Sequence, residues 1–228
     1  MDPSLKSFSE SPDDPQSPFY AALGRTPSET WDHARGRMIE LVAELGSHAA
    51  DQIVVSVEQL RTAHWRIFGD LFPEEAGRFR WKHQGEWETG LFGIGVGSGP
   101  RSAVRPMRGA HPRRIEGQLR DAFREFQQTL SDLERRSQGG EEIPKIASTK
   151  AAARLYAKAL RIHPFVDGNL RASYVTLQAA LLRLGLAGVE FVDYQTHDEA
   201  LARALLPGGR RQSYEPLAEL IAGLIPNE

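Results

Sequence analysis

A mostly helical fold interrupted by one β-containing excursion is what this sequence predicts, and three observations carry the prediction. Most of the chain beyond residue 26 repeats apolar residues every three or four positions, the period of a helix with one buried face. Residues 77–112 break that period with many glycines and prolines and short aromatic-rich runs around Trp81 and Trp87. Nothing repeats at a fixed longer period, which excludes a solenoid. With 228 residues, 40% of them hydrophobic and 25% charged, the chain can bury a real core.

Taken in order, the opening "MDPSLKSFSESPDDPQSPFY" is too rich in Ser, Pro and Asp to repay the entropy of ordering, so residues 1–25 are expected to form a flexible tail. A single domain is expected over 26–228, with a core at about 51–185 and C-terminal helices within 194–225. The first helix starts from Thr26 or Ser28 near Pro27 and carries Trp31, Met38, Leu41, Val42 and Leu45 at helical spacing. The second takes Asp51 as its cap and carries Ile53, Val57, Leu60, His64 and Phe68. The Gly- and Pro-rich excursion reads as a long loop holding one or two short strands. After it, Ile115, Leu119, Phe123, Phe126, Leu130 and Leu133 mark one long helix, and an alanine-rich helix leads to His163. "GNLRASYVTLQAALLRLG" is the most apolar helix and is expected at the centre. Helices around "THDEALARALL" and "SYEPLAELIAGLI" close the chain.

Composition narrows the function. The net charge of −2 supplies no basic field to draw the chain to DNA or a membrane surface, so any phosphate binding must be local. No cysteine is present, which removes disulfides, thiolate metal sites and Cys nucleophiles. No apolar run is long enough to span a bilayer and the first thirty residues lack a secretory pattern, so the expected location is the cytoplasm.

The chemistry concentrates in "HPFVDGNLRAS", residues 163–173. Pro164 ends the preceding helix at about Ile162 and biases His163 away from helical dihedrals. The next helix opens at Asp167-Gly168-Asn169, where unpaired N–H groups and the positive end of the dipole favour an anion. Gly168 permits close backbone approach, Asn169 can donate an amide hydrogen, and Arg171 can offer two parallel donors to phosphate oxygens. Asp167 is a hard oxygen ligand suited to magnesium shared with phosphates, and His163 can take a proton near neutrality. The same residues also serve a purely structural turn, with Asp167 or Asn169 as N-cap and Gly168 as turn residue.

Read whole, the stretch resembles the signature of the Fic family, H-P-F-x-D/E-G-N-G-R-x-x-R, and "LRTAHWRIFGDLFPEEAGRFR" resembles that family's other recurring stretch, a helix with "H…LF" running into a turn that ends in "AG" and then an Arg. The two matches span most of residues 51–185. The resemblance implies a helical bundle with a small β-hairpin flap, located in the excursion before Pro112. It implies transfer of a phosphate-containing group, typically AMP from ATP, onto a Ser, Thr or Tyr hydroxyl of a target protein. By position, His163 would be the general base and Asp167 would hold Mg2+. Gly168 and Asn169 would cradle the transferred phosphate, with the backbone N–H of Leu170 beside them. Arg171 would neutralise the leaving phosphates, and Pro164 and Phe165 would shape the loop. The flap would align a target segment by strand addition.

Two positions depart from the signature: Leu170 stands where it has its second glycine, and Tyr174 where it has its last arginine. In the Doc branch a lysine at the glycine position accompanies transfer of the terminal phosphate. Losing one charge-assisted hydrogen bond costs about 1.5–3 kcal/mol, so a diphosphate-bearing nucleotide, or a Fic-fold protein that binds nucleotide or peptide without turnover, stands as the alternative to ATP-dependent transfer. The inhibitory motif of many family members has only the near match "SQGGEE", which points to restraint by a separate antitoxin chain or to none. Elsewhere, His64 reads as a core or supporting histidine. His33, His48, His83, His111 and His197 lack metal-ligand spacing, "GIGVGSGP" does not open onto a helix as a phosphate loop, and Arg101, Arg105, Arg108, Arg113 and Arg114 read as a solvated basic loop.

Overall fold

Small and apolar side chains put one helix at the centre. The computed structural model describes residues 27–80, 91–96, 103–190, 200–201, 203–205 and 213–226, with backbone alone at 27–31, 91–96 and 103–108. Helix α1 spans Pro27–Gly46, α2 Val57–Phe68, α3 Ile115–Gln138, α4 Lys145–Ile162, α5 Asn169–Arg183 and α6 Glu215–Leu224; strands β1 and β2 span Leu91–Val96 and Ala103–Arg108. Helix α5 packs on α1, α2 and α4, while α4 packs in turn on α3 and α6. The fold is the mostly helical bundle that the periodicity predicts.

The packing follows from residue type. Ala152, Ala153, Ala157 and Ala159 of α4 and Ala172, Ala179 and Ala180 of α5 are all buried, so the two helices can approach closely. Larger side chains fill the spaces around them: Leu177 and Leu181 of α5 join all six periodic residues of α3, from Ile115 to Leu133, in burial. Each such Leu or Phe contributes about 1.5–3 kcal/mol relative to exposure. A second apolar cluster joins Ala34 and Leu41 of α1 to Ala63, Ile67 and Phe68 of α2 and to Val175 of α5. It fixes the C-terminal end of α2, and with it Phe68, against the middle of α5.

The cap of α2 differs from the expected one. Residues Ala50–Gln52 form a separate 3-10 turn, and α2 begins only at Val57, where the Ser56 hydroxyl accepts from the Gln59 N–H at 3.1 Å. Ser56 has the extended backbone, φ −149° and ψ 166°, that lets a cap side chain turn back onto the third helical N–H, so it displaces Asp51.

The excursion folds into an antiparallel hairpin with Leu91 opposite Arg108 and Val96 opposite Ala103. Gly93 faces Pro106, and a proline tolerates a strand only where no ladder N–H is required of it, as a two-stranded hairpin allows. Of the expected C-terminal helices, α6 matches the second. The first falls mostly outside the described residues, although Ala200, Leu201, Ala204 and Leu205 are buried in the main core. The expected tail and the N-terminal caps Thr26 and Ser28 also lie outside what can be described at side-chain level. Among the described residues no helix is long and apolar enough to cross a membrane.

Candidate active site

The joint between α4 and α5 begins with a strained histidine. Helix α4 ends at Ile162 as Pro164 dictates, but His163 does not take the extended conformation expected before proline. It lies in the left-handed region, φ 52° and ψ 62°, where it is the one non-glycine residue with positive φ among the described residues. The His163 N–H donates back to the carbonyls of Ala159 and Leu160, closing the helix as left-handed caps do. Its own carbonyl accepts from Arg80 Nε at 2.7 Å. A β-carbon in this region costs about 1–2 kcal/mol, and such strain persists where the surroundings over-determine it.

Asn169, fully buried at the first position of α5, ties the turn together. Its Oδ1 accepts from the Phe165 N–H at 2.9 Å, which forces the amide nitrogen to the other side. There Nδ2 donates to the Phe165 carbonyl at 3.0 Å and lies 3.1 Å from His163 Nε2. Because an amide nitrogen can only donate, Nε2 must be the acceptor, and the imidazole is the neutral tautomer with its proton on Nδ1. Burial, reinforced by the nearby Arg80 cation, pulls the His163 pKa down to about 3, so the ring stays neutral at physiological pH.

Gly168 is required twice over. Its φ of 71° suits glycine, and a β-carbon there would meet Phe68 Cε2 at 2.2 Å and Cζ at 2.5 Å. Its N–H donates to Asp167 Oδ1 at 2.6 Å. Burial raises the Asp167 pKa above the ordinary carboxylate value, while that N–H and the Arg171 cation pull it back. The Ala172 N–H to Gly168 carbonyl bond, at 3.1 Å, is the first of the α5 ladder, so the N–H groups of Asn169, Leu170 and Arg171 precede it and carry the positive end of the dipole.

His64 anchors the floor of this site. Its Nδ1 accepts from the Gly77 N–H at 2.9 Å, which leaves Nε2 to donate to the Asp167 carbonyl, also at 2.9 Å. Its ring stacks on Phe165, with centroids 3.8 Å apart, and burial lowers its pKa to about 4. The supporting role read from its apolar helix face is therefore explicit: α2 holds the backbone of the turn through a neutral imidazole. Pro164 and Phe165 are buried, and Phe165 belongs to the main core as expected.

The two departures from the signature also have defined surroundings. Leu170 packs, half-buried, against the core. Tyr174, one turn later, donates its hydroxyl to the Val189 carbonyl at 2.5 Å. Gln178 makes a reciprocal pair with the same residue: Nε2 to the Val189 carbonyl at 2.6 Å, and the Val189 N–H to Oε1 at 3.0 Å. Tyr174 thus helps pin residues 186–190 to α5.

One residue at the site was not singled out by sequence reasoning. Arg80 is buried, with 1% of its surface exposed, and besides the His163 carbonyl it reaches the Ala110 carbonyl through Nη2 and the Pro164 carbonyl through its backbone N–H at 3.0 Å. Its place in "AGRFR" is a sequence signal, but nothing local distinguishes it from the exposed Arg78.

The Asp167 surroundings can be tested against magnesium. Among the described residues no cluster of three or more His, Cys, Asp or Glu side chains could hold a metal ion. Asp167 alone, with one oxygen occupied by the Gly168 N–H, cannot build a protein-only cage, but it fits an ion that takes most of its oxygens from phosphates and water.

Comparison with known proteins agrees with this fold. A family model described as the Fic/DOC family matches residues 54–181, from just before α2 to the end of α5. Among similar solved structures is the N-terminal Fic domain of a Bartonella effector protein from Bartonella sp. AR 15-3, with a TM-score of 0.59 at 15% identity over 87% of this chain and 83% of that one. BepC from Bartonella tribocorum, solved with bound AMPPNP, has a TM-score of 0.57 at 16% identity over 89% of each chain. The N-terminal Fic domain of a putative cell filamentation protein from Bartonella quintana, solved with bound ADP, gives 0.57 at 16% identity over 89% of this chain and 88% of that one. At these identities the structural likeness speaks for the fold, and the family match covers more than half of the sequence. This chain belongs to the Fic/DOC family.

Proposed function

We propose that the chain is a transferase that moves AMP, or another nucleotide or phosphate moiety, from a nucleotide onto a Ser, Thr or Tyr hydroxyl of a target protein. The observation that carries the reading is the neutral His163 imidazole, its Nε2 lone pair oriented by Asn169 beside the N-terminus of α5. A base next to an anion site is what hydroxyl attack on a phosphate requires. The nucleotides bound by BepC and by the Bartonella quintana domain support a nucleotide as co-substrate here.

In this reading the target hydroxyl displaces Asn169 from His163 Nε2 and gives its proton to that atom. The hydroxyl oxygen attacks the phosphorus lying at the α5 N-terminus, the bond to the leaving phosphate breaks, and that phosphate departs with its electron pair. The backbone N–H groups of Asn169 and Leu170 meet the oxygens of the transferred group, and Gly168 keeps the chain tight against Phe68 so that they can do so. Arg171 offers its guanidinium to the leaving phosphates. A pKa near 3 makes His163 a weak base in the resting site, and the negative phosphates bound beside it raise its proton affinity when it must act. Magnesium, when bound, neutralises charge on the phosphates, and Asp167 is the side chain that would hold it. The hairpin presents backbone edges to which an extended target segment can add.

One observation favours a second reading, a Fic-fold protein that binds nucleotide or peptide without turnover. Tyr174 occupies the position of the signature's last arginine and is committed to the Val189 carbonyl, so it supplies no cation to a terminal phosphate. Intact-mass analysis of the protein and of a host lysate, after incubation with magnesium and each of ATP, GTP, UTP and CDP-choline, separates the two. The transferase reading predicts a mass gain that identifies the group moved. Nucleotide binding with no gain on any protein supports the binding reading instead.

A further inference from the structure

Three segments remote in sequence meet on Arg80. Its Nε and Nη2 donate to the carbonyls of His163 and Ala110, and its backbone N–H donates to Pro164. The Ala110 N–H closes the junction by donating to the Ile162 carbonyl at 3.0 Å. Gly109, the residue that follows β2 directly, lies so close that a β-carbon on it would meet His163 Cβ at 2.9 Å and Arg80 Nη2 at 3.1 Å. The return leg of the hairpin therefore rests on the base itself, with one guanidinium edge bonded to both.

Arg80 is an expensive choice for this place. Burial lowers its pKa to about 10, because a charge withdrawn from water is poorly solvated. A guanidinium nevertheless has a property no apolar or lysine side chain shares: two donors in a rigid plane, able to hold two carbonyls at a fixed separation. One of those carbonyls belongs to the left-handed His163, a conformation that needs outside support. The approach to Arg80 is itself built for precision. Arg61 holds the Gly77 carbonyl through Nε at 2.9 Å and sets its guanidinium 5.6 Å from the centre of the Phe79 ring.

We infer that Arg80 is a positioning residue: it locks His163 in its left-handed conformation and joins it to the chain leaving the hairpin at Gly109 and Ala110, so that where the hairpin sits determines where the imidazole points. The consequence for catalysis rests on the reading of His163 as the base, whereas the consequence for the geometry of the ring does not.

The test uses Arg80→Lys, which keeps the charge but not the two-pronged geometry, and Gly109→Ala, which wedges a methyl group between the hairpin leg and His163. Two quantities are read in each folded variant: kcat and KM for transfer with ATP and magnesium, and the 15N resonances of the His163 imidazole, assigned against His163→Gln. The inference expects kcat to fall about 10²-fold with nucleotide KM little changed, because a displacement of about 1 Å has that effect on an aligned reaction. It also expects the imidazole to move from one fixed Nδ1–H tautomer to an averaged mixture. An unchanged kcat or an unchanged imidazole spectrum in folded Arg80→Lys overturns it. Should that variant fail to fold, Gly109→Ala carries the same two criteria from the opposite side of the junction. A wild-type protein that transfers nothing defeats the function proposed above, and the imidazole spectra of the variants then decide the positioning role without it.

Discussion

Replacing Gly168 by alanine separates backbone strain from steric conflict at the centre of the turn. Two costs add. Holding a residue with a β-carbon at φ 71° costs about 1–2 kcal/mol. The new methyl would also lie 2.2 Å from Phe68 Cε2, well inside van der Waals contact, and forcing an extra carbon into a packed site costs about 1–3 kcal/mol more. The expected total is about 2–5 kcal/mol, measured as the shift in urea-unfolding free energy by circular dichroism. Phe68→Ala, which removes a buried ring, is expected to cost about 3–5 kcal/mol alone. Because the second change removes the atoms with which the first collides, the double variant should lose less than the two single costs combined, by about 1–3 kcal/mol. The strain share has no such relief. A Gly168→Ala cost below about 1 kcal/mol, or strict additivity with Phe68→Ala, would refute the close approach of α2 to the turn.

Other perturbations probe the charges and the departures from the signature. Asp167 has its folded pKa raised, so its ionised form opposes folding as pH rises through the carboxylate range. Asp167→Asn keeps an acceptor for the Gly168 N–H, and should leave the magnesium-free protein at least as stable at pH 7 while weakening magnesium-dependent ATP binding by calorimetry; lower stability at pH 7 contradicts this. His163 and His64 have folded pKa values of about 3 and about 4, below the ordinary value of 6.5, so the unfolded chain binds more protons in between. Their stabilising effect is complete above pH 6.5 and is lost as pH falls, by about 1.4 kcal/mol per unit for each ring, and chemical denaturation at pH 7, 6 and 5 that shows no loss counts against neutral burial. Leu170→Gly combined with Tyr174→Arg should raise AMP transfer if those positions limit it, at a stability cost of about 1 kcal/mol or more from the lost Tyr174 to Val189 bond. No gain in a folded double variant removes these residues as the limit.

Much of the architecture was legible because it depends on local period and composition. All six apolar positions read for α3 are buried, Pro164 stops α4 where it must, and the segment expected at the centre became the central helix α5, although the helix Glu215–Leu224 is the more apolar of the two. What escaped depends on tertiary partners. Proline preference alone sends His163 to an extended conformation, but the Arg80 bond to its carbonyl and the capping bonds of α4 hold it left-handed. Asp51 and Ser56 are equally good cap residues on paper, and only the turn at 50–52 decides between them. The candidate site was legible as a constellation, yet its internal wiring was not. That Asn169 turns its amide inward onto His163 and Phe165, and that His64 holds the Asp167 carbonyl across 103 residues of sequence, required the packing of α2 against α5. Arg80 carries no local mark of burial, because what buries it is the chain returning from the hairpin.

The central claim is that His163 does the chemistry while the N-terminus of α5 and its neighbours bind the nucleotide. One single-turnover experiment with ATP, magnesium and target protein, measuring nucleotide affinity and transfer rate in the same samples for the wild type and His163→Ala, separates the two roles. Nucleotide affinity within about twofold and a transfer rate lowered by about 10²–10⁴-fold is the result the account predicts. Transfer at the wild-type rate by the alanine variant would contradict it.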